Sequence, residues 1–148
     1  MKKVEVRTHI RATPEKVIRA FTDPRMLAAW WGVERALVEE RPGGAYTLAW
    51  SISDKGFGYV TTGIVAEYDP GRMIRIDRLV YLNPERSFLG PMSLTVEAAS
   101  AGDLTEVYLC QDGYRSGGDW DWYYEAVRTA WPAVVQTLKS YLESGQIP

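Results

Sequence analysis

The chain contains one histidine, His9, and one cysteine, Cys110, two residue types that often take part in catalysis. Cys110 lies in the strand-like run EVYLCQD, where a small core or sheet residue is the ordinary outcome, and a nucleophilic role would need a histidine beside it. His9 lies on the polar side of an alternating segment and has no second histidine with which to bind zinc, so no metal site is expected. Glu67, Asp77 and Tyr81 are left as possible acid or base groups, and no catalytic residue is assigned.

A second group of chemically interesting side chains lies in the stretch GGDWDWYYEAVRTAWP, residues 117–132. Its large aromatic residues could form a hydrophobic core, a stacking platform for bases or sugars, or one wall of a ligand cavity. They are Trp120, Trp122, Tyr123, Tyr124 and Trp131. A nucleic-acid platform needs a basic surface, whereas the 17 Lys and Arg are scattered among 19 Asp and Glu, for a net charge of −2. We therefore expect no nucleic-acid partner.

The elements that must position these side chains begin with a strand and two short helices. Residues 3–11 alternate strictly between apolar and polar, which predicts a half-buried strand. Thr13 and Asp23 are each followed by proline, the arrangement of an N-cap and first helical residue, and Gly32 predicts the end of the second helix. Six further alternating segments, joined by short turns rich in Gly, Pro, Asp and Ser, fill the middle of the chain and predict antiparallel hairpins.

The chain ends in one long helix, predicted from about Asp119 to Ser144 with Gly145 as its stop. On a helical wheel at about 100° per residue, its apolar residues fall on one arc, so the helix is amphipathic. Trp120, Tyr123 and Tyr124 lie on that arc, whereas Trp122 falls on the polar side. The prediction is one α+β domain over residues 1–148, with a seven-stranded antiparallel sheet wrapped around the C-terminal helix. Neither a signal peptide nor a membrane span is visible, so a cytoplasmic location is expected.

This order of elements and several segments resemble the helix-grip fold of the SRPBCC superfamily. The segments are ATPEKVIRAFTDPRMLAAWWG, RPGGAYTL, GIVAEYDPGRMIRI, LTEVYLCQDGY and WDWYYEAVRTAWPAVVQTLKSYLESG. Within that superfamily the chain looks like the branch named after the activator of heat-shock-protein-90 ATPase. The resemblance covers essentially the whole chain and implies two short helices between the first and second strands. It also implies a cavity for apolar small molecules between the sheet and the long helix, without implying a reaction.

Strand alternation and the helical wheel nominate the residues that would line such a cavity. The nominated residues are Trp30, Tyr46, Leu48, Trp50, Ile76, Arg78, Val80, Leu109, Gln111, Trp120, Tyr123, Tyr124 and Val127. Arg78 and Gln111 would be its polar anchors, orienting an acidic or carbonyl-bearing ligand against an aromatic wall. The alternatives are that these side chains meet in a filled core, and that a bulge turns Arg78 out to the surface.

Three functions are consistent with the sequence. The leading hypothesis is binding of an apolar or aromatic small molecule, with no cofactor. The second is an enzyme of the cyclase or hydrolase type acting on a polyketide-like or aromatic compound, which would have to work without His9 or Cys110. The third is a protein-interaction role resembling that of a chaperone activator. A homodimer is a further possibility, since Trp122 could form a contact between two copies.

Overall fold

The structure is a computed structural model that describes residues 2–144, so the predicted stop at Gly145 lies outside the described residues. It contains seven strands and three helices within that range. These are β1 (Lys3–Ile10), α1 (Pro14–Arg19), α2 (Pro24–Trp31), β2 (Arg35–Val38), β3 (Ala45–Trp50), β4 (Tyr59–Asp69), β5 (Met73–Leu82), β6 (Leu89–Ala101), β7 (Leu104–Asp112) and α3 (Asp119–Ser144). The α+β class, the two early helices and the long last helix are confirmed.

The strands form one antiparallel sheet in the order β1-β7-β6-β5-β4-β3-β2. Strands β2 to β7 pair with their neighbours along the chain, as short hairpin connections require. β1 pairs instead with β7, so that α1 and α2 cross from one edge of the sheet to the other. Most of the buried apolar side chains of the sheet belong to one hydrophobic cluster with those of α1, α2 and α3.

Local sequence sets the start of both short helices as predicted. The Thr13 side chain accepts a hydrogen bond from the backbone N–H of Lys16, and Asp23 accepts from those of Arg25 and Met26. These bonds satisfy amide groups that have no partner within the helix. Gly32 ends α2 in the left-handed conformation, with φ of 70°, which costs glycine little. α2 is thereby fixed so that its last turn, with Trp30 and Trp31, lies against the core.

A β-bulge interrupts the alternation of β5 and corrects one sequence prediction. The pairing with β6 shifts between Ile76 and Leu79, and Arg78 has a left-handed φ of 53°. Gly63 on β4 makes room for the bulge, because a Cβ there would lie 2.7 Å from Ile76 Cγ2 and 2.9 Å from the Asp77 carbonyl oxygen. The bulge adds one residue, which turns the exposed Arg78 side chain outward and buries Leu79. Strict alternation predicted Arg78 and Val80 on the inner face.

Candidate functional site

A pocket of about 320 Å³ lies between the inner face of the sheet and the N-terminal half of α3. It takes side chains from α2, from β3 to β7 and from α3, and most of them are aromatic or aliphatic. Its lining residues are Trp31, Tyr46, Leu48, Trp50, Tyr59, Thr61, Leu79, Tyr81, Leu94, Gln111, Trp122, Tyr123, Ala126, Val127, Ala130, Trp131 and Val134. A concave, mostly apolar site with few polar groups is the usual form of a small-molecule pocket.

Small side chains on α3 create the empty space. Ala126 and Ala130 line the pocket between Trp122 and Val134, and these residues follow one another at intervals of four. Side chains four apart in a helix share a face, so the two alanines leave a depression bounded by larger groups at either end. A sheet curved over this helix therefore meets no side chain large enough to fill the gap.

The sheet wall of the pocket follows from the register of three neighbouring strands. Leu48 on β3 lies opposite Thr61 on β4, and Thr61 lies opposite Tyr81 on β5. Trp50 lies opposite Tyr59, whose ring is stacked with that of Tyr81 at a centroid separation of 6.5 Å. Cross-strand neighbours on one face stand close enough for such contacts. The result is a continuous aromatic wall with hydroxyl groups along it.

The end of the pocket formed by α2 is closed by Trp31, whereas the sequence pattern nominated Trp30. Trp31 contacts Trp131 of α3 with ring centroids 5.5 Å apart, and its backbone oxygen accepts a hydrogen bond of 3.1 Å from the Trp50 indole. Trp30 is stacked behind Trp31 at 5.1 Å and donates its indole N–H to the Ala20 carbonyl oxygen at 2.8 Å. Trp30 is therefore a core residue that supports the pocket wall.

Gln111 forms a buried hydrogen-bond network at the base of the pocket. Its Oε1 accepts from the Trp131 indole N–H at 2.7 Å, and its Nε2 donates to the Tyr123 hydroxyl oxygen at 3.1 Å. Nε2 also lies 3.4 Å from Met92 Sδ. Gln111 lies inside the pocket, but protein groups already engage its amide. Buried polar groups need such partners. Gln111 orients its neighbours and is not a free anchor for a ligand.

The pocket lining contains no charged residue. None of the lining residues is Asp, Glu, His, Lys, Arg or Cys. Outside the lining, the Arg86 guanidinium lies 3.9 Å from the ring centroid of Trp122 and pairs with Asp119 at 3.3 Å. The backbone N–H of Ser87 also donates to Asp119 at 2.8 Å, and together these contacts hold the pKa of that carboxyl below its usual value. These contacts of Arg86 and Ser87 hold the β5–β6 loop against α3 beside Trp122.

The structure brings several of the predicted residues together in this pocket and places others elsewhere. Those that line it are Tyr46, Leu48, Trp50, Gln111, Tyr123 and Val127. Ile76 and Leu109 are buried in the core, Val80 is half-buried outside the lining, and Arg78 is exposed. Trp120 and Tyr124 are half-buried on the flank of α3, where Tyr124 contacts Tyr114 at a centroid distance of 5.0 Å.

The largest departure on α3 concerns Trp122, which the wheel placed on the polar side and which lines the pocket. The apolar arc was drawn over the whole helix, whose C-terminal half packs on the core through Val135, Leu138 and Leu142. The N-terminal half presents a different face, marked in the sequence by the intervals from Trp122 to Ala126 and from Ala126 to Ala130. The spacing of Trp122, Ala126 and Ala130 at intervals of four was the sequence signal that could have indicated this face.

Other chemically interesting residues lie away from the pocket. His9 is exposed, and its Nε2 lies 3.9 Å from Glu106 Oε2. Cys110 lies on the opposite sheet face from Gln111, and burial raises the pKa of its thiol. No group of three or more potential metal ligands occurs within residues 2–144. A second cleft of about 340 Å³ lies beside α1, but Arg11, Glu15, Lys16 and Arg19 give it an exposed and charged lining.

The sheet, the long helix and the cavity between them define a helix-grip protein. Residues 11–143 match the family model described as activator of Hsp90 ATPase homolog 1-like protein, so the chain belongs to that family, within the SRPBCC superfamily. The resemblance read from the sequence is therefore confirmed. No curated protein matches the sequence. No helix within residues 2–144 is long and apolar enough to cross a membrane.

Solved structures with the same fold come from several sources. The Aha1 dimer of Colwellia psychrerythraea is 18% identical, with a TM-score of 0.73 and coverage of 99% of both chains. Protein MLL2253 of Mesorhizobium loti is 20% identical, with a TM-score of 0.77 over 99% of this chain and 100% of that one. DynU16, from the dynemicin biosynthetic locus, is 19% identical, with a TM-score of 0.70 over 99% of this chain and 49% of that one.

Proposed function

We propose that this protein binds a neutral apolar or aromatic small molecule in the pocket between the sheet and α3. The observation that supports this is the lining itself, which combines eight aromatic side chains with two helical alanines and lacks any charged group. A volume of about 320 Å³ lies at the lower end of the range for small-molecule sites and suits a compact ring system. Burial of an anion there would be costly, because no cationic side chain lines the pocket and Arg86 beside it is already paired with Asp119.

The pocket supports binding better than catalysis of the cyclase or hydrolase type. Acid–base chemistry needs a proton donor and a proton acceptor within hydrogen-bond reach of the substrate. Among the acid or base candidates from the sequence, only Tyr81 lines the pocket, whereas Glu67 and Asp77 pair with Arg75 outside it. Burial raises the pKa of Tyr81, which leaves it a weak acid. The third hypothesis, a protein-interaction role, requires no empty pocket and stays a prediction. Self-association and a cytoplasmic location do not follow from the pocket either, and they also stay predictions.

The experiment compares two fluorescent probes that share one ring system. N-phenylnaphthylamine is neutral, and anilinonaphthalene sulfonate carries an added negative charge. We expect the neutral probe to bind with enhanced fluorescence and the sulfonate to bind more weakly, since the pocket lacks a cation. The Ala130→Phe variant should abolish binding by filling the depression on α3. Ala133→Phe is the matched control, because Ala133 is exposed on the same helix and outside the lining.

Both variants must first show the circular dichroism spectrum of the unmodified protein. Loss of N-phenylnaphthylamine binding in Ala130→Phe but not in Ala133→Phe supports the pocket as the binding site. Equal binding in both variants, or no binding to the unmodified protein, contradicts the proposal. Tighter binding of the sulfonate than of the neutral probe would contradict the assignment of a neutral ligand.

A further inference from the structure

We propose that the ligand carries an oxygen acceptor, such as a carbonyl, which receives a hydrogen bond from the Tyr123 hydroxyl. This inference rests on the proposed function, since it concerns the same pocket, and it names the chemical class of the ligand. The class is a neutral, flat, largely apolar molecule with a carbonyl or ether oxygen on one edge.

The direction of each hydrogen bond in the Gln111 network is fixed by the donors and acceptors available. An indole N–H can only donate, so the Gln111 atom that meets Trp131 must be the amide oxygen. The other side of the same amide is then its NH₂ group, which faces the Tyr123 hydroxyl at 3.1 Å. Since an NH₂ group can only donate, the Tyr123 oxygen must accept. The hydroxyl proton of Tyr123 is therefore not used in the bond to Gln111.

This hydroxyl proton has no acceptor among residues 2–144. The Tyr123 hydroxyl makes no hydrogen bond besides the one it accepts from Gln111. The rings of Tyr81 and Tyr114 lie 4.8 Å and 6.0 Å from that of Tyr123, but no hydrogen bond joins their hydroxyls to it. Tyr123 is only 7% exposed and lines the pocket. A hydroxyl that lines an apolar pocket and has no protein acceptor for its proton can donate it to a ligand acceptor placed in that pocket.

The Tyr123 hydroxyl also keeps its proton and so remains a donor. A hydroxyl whose oxygen already accepts a hydrogen bond is polarised and becomes a better donor, as in other hydrogen-bonded chains. Burial raises the pKa of Tyr123 to about 12, so the proton stays on the phenol at neutral pH. The other polar groups of the lining are the hydroxyls of Tyr46, Tyr59, Thr61 and Tyr81 and the polar atoms of Gln111 and the indoles, and the Tyr46 hydroxyl is already engaged by the Phe21 carbonyl oxygen.

The test uses fluorenone and fluorene, two flat molecules of nearly the same shape that differ by one carbonyl group. Their affinities are measured by displacement of N-phenylnaphthylamine. We expect Tyr123→Phe to weaken fluorenone binding about two- to tenfold, the range for one neutral hydrogen bond, and to leave fluorene binding unchanged. Tyr124→Phe is the control, since Tyr124 is the next residue on α3 and lies outside the pocket lining. It should change neither affinity.

Infrared spectroscopy of bound fluorenone gives a second measurement that needs no stable variant. The carbonyl stretch of fluorenone bound to the unmodified protein should lie near its frequency in an alcohol, below that in an alkane. A bound frequency equal to the alkane value, or equal effects of Tyr123→Phe on both ligands, overturns this inference. If N-phenylnaphthylamine binds but fluorenone does not, the inference again fails while the proposed function stands. If none of the probes binds, the proposed function itself fails.

Discussion

At the scale of single residues, the amide of Gln111 determines how the base of the pocket is organised. It joins α3 to β7 through Trp131 and Tyr123, and all three side chains are buried. A buried amide that loses one partner keeps its desolvation cost, which exceeds the net gain of the bond itself. The network therefore fixes side-chain positions more than it adds stability, and it explains why a polar residue is tolerated among aromatic rings.

The hydrogen bond between Gln111 and Trp131 predicts the effect of Trp131→Phe. The substitution keeps an aromatic ring but removes the indole N–H, leaving Gln111 Oε1 buried without a donor. We expect the free energy of unfolding to fall by about 1–3 kcal/mol, measured by urea denaturation. Trp120→Phe is the comparison, because the Trp120 indole makes no hydrogen bond to residues 2–144 and its side chain is half-buried. Equal losses in the two variants would show that ring size, and not the hydrogen bond, is responsible.

Sequence alternation succeeded where strands are regular and failed where pairing changes. It placed Tyr46, Leu48 and Trp50 on the inner face correctly, because β3 has no bulge. It failed at Arg78 because the position of a bulge depends on the facing strand as well as on β5. A single segment read by itself does not contain that information.

At the scale of elements, Gly63 and the β5 bulge form one structural unit. The missing Cβ of Gly63 lets the strand approach Asp77 and Leu79 closely, and Leu79 is then delivered to the pocket wall. The Ile76 side chain and the backbone of Asp77 and Leu79 lie close to this position, so an added methyl group has little room. The shape of the pocket at this point depends on a residue that does not line it.

The corresponding prediction is that Gly63→Ala destabilises the fold by about 1–3 kcal/mol and weakens probe binding. The added Cβ would stand 3.2 Å from Leu79 Cα and closer still to the Asp77 carbonyl oxygen, so β5 must shift. Gly71→Ala is the matched control, because its Cβ would meet only the Glu15 side chain at 3.7 Å or more. Thermal unfolding and N-phenylnaphthylamine titration check both variants. Unchanged stability and binding in Gly63→Ala would contradict the role assigned to Gly63 in the bulge.

Helix periodicity predicted the existence and the length of α3 and put Tyr123 and Val127 on the face that lines the pocket, but it left Trp122 off that face. The average over the whole helix followed the core residues of its second half, such as Leu138, and put Trp122 on the solvent side. The β5–β6 loop then covers Trp122 through Arg86, a contact that no local pattern on α3 encodes. Long-range packing therefore decided the position of Trp122, which the average over the helix had assigned to solvent.

At the scale of the whole molecule, element order and the resemblance to the helix-grip fold together predicted the arrangement, whereas they left open whether the centre is filled. The elements read from the sequence alone were one strand, two capped helices, six strands and a long amphipathic helix, which indicate an α+β domain. Whether that arrangement holds an empty pocket depends on side-chain volumes at a few facing positions, above all Ala126 and Ala130. Those volumes can be read from the sequence, but the positions they face cannot.

A pocket that is part of the native fold predicts that its ligand stabilises the whole molecule. N-phenylnaphthylamine at about 100 times its Kd should add about 2.7 kcal/mol to the free energy of unfolding, because only the folded state binds it. For a chain of 148 residues this corresponds to a rise in Tm of about 5–10 °C, measured by differential scanning calorimetry. Ala133→Phe should show the same rise, and Ala130→Phe should show none. An equal rise in Ala130→Phe would mean that the probe stabilises the protein from a site other than this pocket.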